Sequence, residues 1–294
     1  MRHAAVWSLA IALSACGPAP AGRGALDGGG NAGVDGGGGS TADAAVGDDG
    51  CSAAARLIYT IDKDLRLSAF DPSTRTFTDR GTLACPAAIE AKPLSMAVNR
   101  AAIAYVLYNS GELFAVDTAT LACTATTWDQ DLRLYSFGMG FSTDQAGGTA
   151  ETLFIAGKDV LTGPPTMLAR LDTSTFLATK LANLSGQPEL TGTGTGELWG
   201  YFPSSVPPQL IRLDKATGAA LQTYAITNPT GAPTSFAFAF WGGDFWVFLY
   251  RSTDTATSVY QLDGASGALV STTSTTGRRV VGAGVSTCAP PVIL

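Results

Sequence analysis

The chain has 294 residues with 18 Lys or Arg against 24 Asp or Glu, so its formal net charge at pH 7 is −6. Charged residues make up only 14% of the chain and form no basic patch, which argues against a nucleic-acid ligand, because neutralising phosphates needs clustered Lys and Arg. The single His is His3, so the remaining chain excludes a Ser-His-Asp triad, a Cys-His pair and His-ligated metals. We expect no cofactor and no metal site.

Residues 1–15 have the features of an export signal. Arg2 supplies the positive start, and Ala4 to Leu13 form an apolar stretch that is too short to span a bilayer. Leu13-Ser14-Ala15-Cys16 resembles the cleavage box of bacterial lipoproteins, whose Cys is acylated after cleavage. The resemblance implies lipidation at Cys16 and, because Gly17 rather than Asp follows, sorting to the outer membrane. The alternative is an ordinary secretory signal with a Cys there by chance.

Residues 16–50 are predicted to be a lipidated, disordered tether. The segment contains Gly28-Gly29-Gly30 and Gly36 to Gly39, scattered Asp residues and almost no side chain large enough to pack. Such a composition cannot bury enough surface to offset the conformational entropy of the chain. The Asp residues lack the ordered spacing of a calcium loop, so we interpret them as solvating charge.

Residues 51–294 contain a short motif five times: two apolar positions three apart, then Asp, any residue, a small residue, and Ser or Thr. The copies are Leu67–Thr74, Leu113–Thr120, Leu168–Thr175, Leu210–Thr217 and Val259–Ser266. Their Asp residues lie 46, 55, 42 and 49 positions apart. A spacing near 40–50 residues with strand-like composition is typical of a propeller in which each repeat is one four-stranded blade. The sequence therefore predicts an all-β, five-bladed β-propeller.

Each repeat is expected to contribute four strands. The first alternates small and large residues, as in Phe137-Gly138-Met139-Gly140-Phe141, which suits an innermost strand that neighbours approach closely. The third strand carries the motif, whose Asp can accept a hydrogen bond from the backbone two residues on. Gly218 and Gly267 then follow where a positive φ is useful. We interpret the five Asp residues as turn-forming; the alternative, a ring of metal-binding carboxylates, would lie far out on the blades.

The two ends of the propeller domain are predicted to form one blade together. The last unit stops after its first strand, Val280–Thr287, and the first unit begins with a second strand, Leu57-Ile58-Tyr59. Antiparallel pairing of these strands would place Cys51 opposite Cys288, so we predict a disulfide between them, and Cys85 pairs with Cys123 by elimination. Five Cys minus an acylated Cys16 leaves four, an even number that suits an oxidising compartment.

Leu113 to Trp128 resembles the strand-turn-strand repeat of quinoprotein-like and surface-layer (YVTN-type) β-propellers. Phe137–Phe141, Phe236–Phe245 and the ending Val281–Pro290 are similar to a group of uncharacterised exported proteins of high-GC Gram-negative bacteria. The resemblance implies the propeller and a lipoprotein location, and it implies no activity. The cofactor and calcium ligands of the quinoprotein enzymes have no matching constellation here, so those functions are not carried over.

Carboxylate chemistry remains possible, because some five-bladed propellers are glycosidases with paired acids at the mouth of the central channel. Candidate acids in the corresponding loops are Asp62, Asp64, Glu112, Asp129, Asp131, Asp159 and Glu189. Trp128, Asp129, Asp131 and Arg133 combine acids, an aromatic and a cation between two blades, and are the candidate binding residues. The alternative is a solvated loop between blades. Arg278-Arg279 is either a surface charge pair or an anchor for an acidic ligand at the channel mouth.

These observations favour a membrane-anchored β-propeller lipoprotein that acts as a binding or scaffold module at the cell envelope. Its expected partners are the lipid bilayer, through acylated Cys16, and a protein or glycan ligand. It would face the periplasm or the cell exterior. The alternative is a carbohydrate-active enzyme with two carboxylates at the channel mouth, and a purely structural envelope component is a further interpretation.

Overall fold

The structure, a computed structural model, describes residues 50–229 and 231–292. The predicted signal peptide 1–15, the lipidation site Cys16 and all of the tether except Gly50 lie outside the described residues. Within the described ranges the regular structure is β, apart from the short 3₁₀ turns Ala54–Arg56 and Asp131–Arg133. In the same ranges no helix has the length and apolar character needed to cross a bilayer.

The described strands form five antiparallel sheets of four, as the repeat predicted. Blade 1 consists of β1 (Ile58–Asp62), β2 (Arg66–Asp71), β3 (Thr76–Thr82) and the last strand, β20 (Val280–Val285). Blade 2 consists of β4 (Pro93–Val98), β5 (Ile103–Tyr108), β6 (Leu113–Asp117) and β7 (Cys123–Ala125). Blade 3 consists of β8 (Leu134–Thr143), β9 (Glu151–Asp159), β10 (Gly163–Leu171) and β11 (Ala178–Leu184). Blade 4 consists of β12 (Glu189–Gly192), β13 (Leu198–Phe202), β14 (Gln209–Leu213) and β15 (Ala220–Ala225). Blade 5 consists of β16 (Ser235–Trp241), β17 (Asp244–Tyr250), β18 (Ser258–Asp263) and β19 (Leu269–Ser274).

The innermost strands close a ring. β20 contacts β4, β4 contacts β8, β8 contacts β12, β12 contacts β16, and β16 contacts β20. Glycine permits this approach: a Cβ at Gly138 would lie 2.2 Å from the Pro188 carbonyl oxygen, and one at Gly284 would lie 2.9 Å from the backbone nitrogen of Val98. The small residues predicted on the innermost strands are therefore required by backbone packing around the axis, and the five-bladed propeller is confirmed.

The hydrophobic core lies between the blades. Phe70 of blade 1, for example, packs with its ring centroid 5.5 Å from those of Trp246 and Phe248 in blade 5. All three side chains are buried. Because each sheet is covered on both faces by its neighbours, most strand positions are apolar, which explains the low content of charged residues.

The termini complete blade 1 as predicted. β20 pairs antiparallel with β1, with Ile58 opposite Val285 and Thr60 opposite Ala283. Beyond these strands, Cys51 and Cys288 form a disulfide with their Cα atoms 5.8 Å apart. The second predicted disulfide, Cys85–Cys123, is also present and ties the segment before blade 2 to its outer strand. Closure of the ring removes free sheet edges at the axis.

The motif Asp closes the turn between the third and fourth strands of each blade. In blade 2, Asp117 Oδ1 accepts the backbone N–H groups of Ala119 at 2.9 Å and Thr120 at 2.8 Å. Four residues after each motif Asp the backbone has a positive φ. Glycine fills this position as Gly218 and Gly267, whereas the other blades place there Arg75, Leu121 and Phe176. The predicted turn is confirmed, and the sequence had pointed to only the two glycines.

Replacing Asp117 by Ala is expected to destabilise the protein by about 1–2 kcal/mol, because two backbone donors lose a charged acceptor. These hydrogen bonds, that of Thr120 first, lower the pKa of Asp117. A carboxylate with a lowered pKa stabilises the fold above its unfolded pKa of about 4, and this contribution is lost as the pH falls through the folded value. Urea unfolding at pH 7 and pH 3 measures both effects. Asp117→Asn, which keeps the accepting oxygen, is the control; a loss equal to that of Asp117→Ala would contradict the interpretation.

Candidate functional site at the channel mouth

The innermost strands of all five blades begin at the same face of the ring, and a cavity of about 270 Å³ opens there. We call it the mouth cavity. Its wall is formed by the starts of these strands and by the loops that precede them, with contributions from Ser95, Phe137, Glu189, Ser235 and Val281. The site therefore exists only because five segments far apart in the chain converge on the axis.

Glu189, the first residue of β12, is the buried carboxyl group among the described residues of this wall, with 5% of its surface exposed. The Ser95 hydroxyl of blade 2 donates to its Oε1 atom. Burial raises the pKa of Glu189 to about 8, outweighing the hydrogen bonds from Ser95 and from the backbone of Met139, which act in the opposite direction. At pH 7 this side chain is therefore mostly a neutral carboxylic acid, able to donate as well as accept a hydrogen bond.

Three cationic residues line the same cavity: Lys63, Lys92 and Arg279. Arg279 is held in place, since its Nε donates to Ser235 Oγ at 2.8 Å and its guanidinium carbon lies 4.8 Å from the centroid of the Tyr250 ring. Its carbonyl oxygen accepts the backbone N–H of Lys63 at 2.9 Å, which joins the β1–β2 turn to the start of β20. Among residues 50–229 and 231–292, none of the three cations forms an ion pair.

The structure separates the two arginines that the sequence had grouped. Arg278 donates to Asp79 Oδ1 at 2.6 Å and to Ser68 Oγ at 3.0 Å. Arg278 therefore forms an ion pair within blade 1, whereas Arg279 lines the mouth cavity. Whether Arg279 anchors an acidic ligand stays a prediction.

The predicted binding group Trp128, Asp129, Asp131 and Arg133 is brought together only in part. Asp129, Asp131 and Arg133 line an open groove of about 490 Å³ between blades 2 and 3. Trp128 is only 7% exposed and packs edge-on against Phe137, with ring centroids 5.5 Å apart, so it offers no aromatic platform to the groove.

Three of the charged groups that line this groove, Asp131, Arg133 and Asp159, are bonded within the chain. Asp131 accepts the backbone N–H groups of Leu132 at 2.8 Å and Ala178 at 3.0 Å. Arg133 Nε donates to Asp159 Oδ2 at 2.9 Å, and this contact holds the pKa of Asp159 well below its usual range. These bonds fix the loop between the two blades.

Of the seven candidate acids, Glu189 is the one that lines the mouth cavity, and it is the sole carboxylate among the described lining residues. Asp62 is buried at the end of β1, where its Oδ1 accepts the backbone N–H groups of Asp64 and Arg66, both at 2.9 Å. Glu112 accepts the backbone N–H of Ala88 at 2.8 Å. The described residues also contain no group of three or more His, Cys, Asp or Glu side chains arranged to hold a metal ion.

Sequence reasoning missed Lys63, Lys92, Asn109 and Gln187, all of which line the mouth cavity. A usable signal was present in the repeat. Residues one or two positions before an innermost strand line the cavity in four blades: Lys92, Gln187, Thr234 and Arg279. Aligning the repeats on these positions, rather than on the motif Asp, would have identified Lys92 and Gln187.

A second cavity, of about 450 Å³, lies at the other ends of the innermost strands and shares no lining residue with the mouth cavity. Its wall includes Cys51, Cys288 and Thr287. Beside it, Glu151 accepts the Arg100 backbone N–H at 2.8 Å and the Thr287 hydroxyl at 2.7 Å, a network that links blades 1, 2 and 3. Burial raises the pKa of Glu151. The Cys51–Cys288 disulfide and the hydrogen bonds of Glu151 therefore lie at or beside this second cavity and hold the surrounding blades together.

No protein-family model matches the sequence, and the search of curated proteins finds no match. Among solved structures, a chain of a nidogen/laminin complex aligns with 78% of this chain and 97% of its own length, at 14% identity and a TM-score of 0.49. A chain of the mitotic checkpoint complex aligns over 74% of this chain and 60% of its own, at 12% identity and a TM-score of 0.39. A chain of Kuenenia stuttgartiensis hydrazine synthase aligns over 62% and 49%, at 11% identity and a TM-score of 0.39. Likenesses this distant say nothing about function.

Proposed function

We propose that this protein is a ligand-binding module of the bacterial cell envelope, held to the outer membrane by lipid on Cys16 and facing the periplasm or the cell exterior. A closed β-propeller is consistent with a binding or scaffold module, because rigid blades position the loops that line a site. The lipoprotein-like box at Leu13–Cys16 and the Gly-rich segment that follows support the anchor and the tether. The resemblance to exported Gram-negative proteins supports the location.

The observation that carries the proposal is the mouth cavity. Three cations converge there without carboxylate partners among the described residues, beside a carboxyl group that burial keeps mostly neutral. Unpaired cations in a concave site repel one another and destabilise the protein without ligand. An anionic ligand would remove that repulsion. These features support a ligand-binding site at the mouth.

The alternative, a carbohydrate-active enzyme, has one observation in its favour. A buried Glu189 with a pKa of about 8 has the protonation state of a general acid. A glycosidase also needs a second carboxyl group roughly 5–10 Å away. The described lining of the mouth cavity supplies Glu189 alone. We therefore favour binding.

Cys16→Ala is expected to release the protein from the membrane fraction, because the acyl chains attach to that sulfur. Mass spectrometry of the detergent-extracted wild type should find acylated Cys16 as the first residue of the mature chain. Ser40→Ala, an equally small change within the predicted tether, should leave the location unchanged. An unmodified Cys16, or cleavage at another position, would reject the anchor.

Binding at the mouth can be tested on the full-length protein in cells. Ser136 is exposed, lines the cavity and makes no side-chain hydrogen bond within the described residues, so Ser136→Trp should obstruct the site without breaking the fold. Thr124→Trp, at an exposed position of the outer strand β7, is the matched control. Purification from envelope extracts should recover a ligand or partner with the wild type and Thr124→Trp but not with Ser136→Trp. Equal recovery by all three would contradict a site at the mouth.

A further inference from the structure

We propose that the mouth cavity binds a small hydroxylated carboxylate, about the size of a single sugar acid. This inference rests on the proposed function and specifies the chemical class of the ligand. It follows from four properties of the cavity: the sign of its charge, the geometry of Arg279, the mixture of polar and apolar groups in its wall, and its size.

The charge of the wall selects an anion. Lys63, Lys92 and Arg279 are its cations, and Glu189 is its sole acid among the described residues. With Glu189 mostly neutral at pH 7, the described wall carries close to three positive charges. Low-dielectric walls strengthen this potential within the cavity, so a cationic ligand is repelled and an anionic one attracted.

Arg279 lines the cavity, and the described residues bond only part of its guanidinium. Its Nε is occupied by Ser235 Oγ, and the Tyr250 ring lies beside the guanidinium. Within residues 50–229 and 231–292, this guanidinium makes no other hydrogen bond. Two parallel N–H groups held in one plane match the two oxygens of a carboxylate, and fixing the side chain in advance reduces the entropy lost on binding.

The remaining wall suits a molecule that has hydroxyl groups and an apolar face. Ser95, Asn109, Gln187 and Thr234 supply hydroxyl and amide groups, while Phe236 and Pro188 supply apolar surface. A pyranose acid has the same division, with hydroxyls around its edge and C–H groups on its faces. Asn109 and Gln187 each make one side-chain hydrogen bond within the chain and keep further amide donors or acceptors for a ligand. A bare inorganic anion would leave the apolar surface uncovered.

The size of the cavity limits how much of a ligand it can hold. Its volume of about 270 Å³ is just below the usual range of small-molecule sites, roughly 300–1,000 Å³. One monosaccharide-sized unit fills the space, either free or at the end of a chain.

Calorimetric titration of the full-length protein with D-glucuronate, D-glucose, D-glucosamine and inorganic phosphate tests the proposal. We expect glucuronate to bind at one site, at least tenfold more tightly than each of the other three, and more weakly as the salt concentration rises. Arg279→Gln should weaken glucuronate binding at least tenfold, and Lys63→Gln/Lys92→Gln should weaken it severalfold. Lys158→Gln removes an exposed cation outside the cavity and should leave the affinity unchanged. Circular dichroism checks that each variant is folded.

Glucose or phosphate binding as tightly as glucuronate would overturn the inference, as would glucuronate binding that folded Arg279→Gln leaves unchanged. Absence of binding by all four probes would also overturn it. Failure of the proposed function is a separate result. If recovery from envelope extracts still depends on Ser136, the mouth is a site for another class of ligand; if it does not, the site itself is rejected.

Discussion

Replacing Cys51 and Cys288 together by Ala is expected to destabilise the protein by about 5 kcal/mol, more than replacement of Cys85 and Cys123. The first disulfide joins residues 237 positions apart and the second joins residues 38 apart. In the chain-entropy model, cross-linking the longer loop removes more freedom from the unfolded chain, giving about 5 kcal/mol against about 4 kcal/mol. Urea unfolding of the two double variants measures the difference.

The position of the Cys51–Cys288 disulfide should enlarge this effect. It lies beside the pairing of β1 with β20, the place where the two ends of the domain meet. Without the bond, fraying of β20 would open the ring and expose backbone on both sides of it. Proteolysis of the Cys51→Ala/Cys288→Ala variant should therefore begin at the ends of the domain. A loss of stability no greater than that of Cys85→Ala/Cys123→Ala would contradict this account.

The second large effect concerns Glu189. Burial raises the pKa of this side chain from 4.5 to about 8. A carboxylic acid with a raised pKa holds its proton more tightly in the folded state. Its neutral form is compatible with the fold at low pH, and stability is lost progressively as the pH rises from the unfolded pKa through the folded one. For this shift, the loss between about pH 4.5 and pH 8 is on the order of 4–5 kcal/mol.

Glu189→Gln should remove this loss. The variant is expected to be about as stable as the wild type at pH 4.5 and several kcal/mol more stable at pH 9, because an amide keeps the acceptor for Ser95 and cannot ionise. Thermal unfolding between pH 4.5 and pH 9 measures it. The stability of Glu189→Gln should still fall with rising pH, but by less than that of the wild type, since burial also raises the pKa values of Asp62 and Glu151.

Asp129→Asn is the matched control for Glu189→Gln. It also removes one carboxylate, but from an exposed position in the groove between blades 2 and 3, outside the mouth cavity. The pH dependence of the stability of Asp129→Asn should follow that of the wild type. If the stability of Glu189→Gln fell with rising pH as steeply as that of the wild type, Glu189 would be ionised in the folded protein at neutral pH.

Much of the fold was predictable because its determinants are local and repeated. The turn made by Asp117 depends on hydrogen bonds to residues two and three positions further on, so the same letters produce the same turn in each blade. Closure by the termini was predictable because an incomplete unit at each end leaves an unpaired strand. The positive φ at Arg75, Leu121 and Phe176 was not predictable, because those residues give no sign of it.

The site was less accessible to prediction. Trp128, Asp129 and Arg133 stand close together in the sequence and suggested a binding group, yet the indole packs into the core and Arg133 pairs with Asp159. Proximity along a loop says little about whether side chains face the same space. Glu189 was one of seven candidate acids. Asp62 and Asp159 are buried as well, and Glu189 differs from them because it lines the mouth cavity.

The sequence by itself determined the number of blades, the order of the strands and the motif turns, because strand periodicity and turn hydrogen bonds act within a few residues and recur along the chain. The disulfide pairing followed from the predicted closure of blade 1 by the termini and, for Cys85 and Cys123, from elimination. Only the tertiary structure decided which groups form the mouth cavity. Lys63 and Arg279 of blade 1, Lys92 of blade 2 and Glu189 of blade 4 meet because the innermost strands converge on one axis. The charge and the burial of groups in the mouth cavity depend on segments that are far apart in the sequence. No local sequence pattern can therefore predict them.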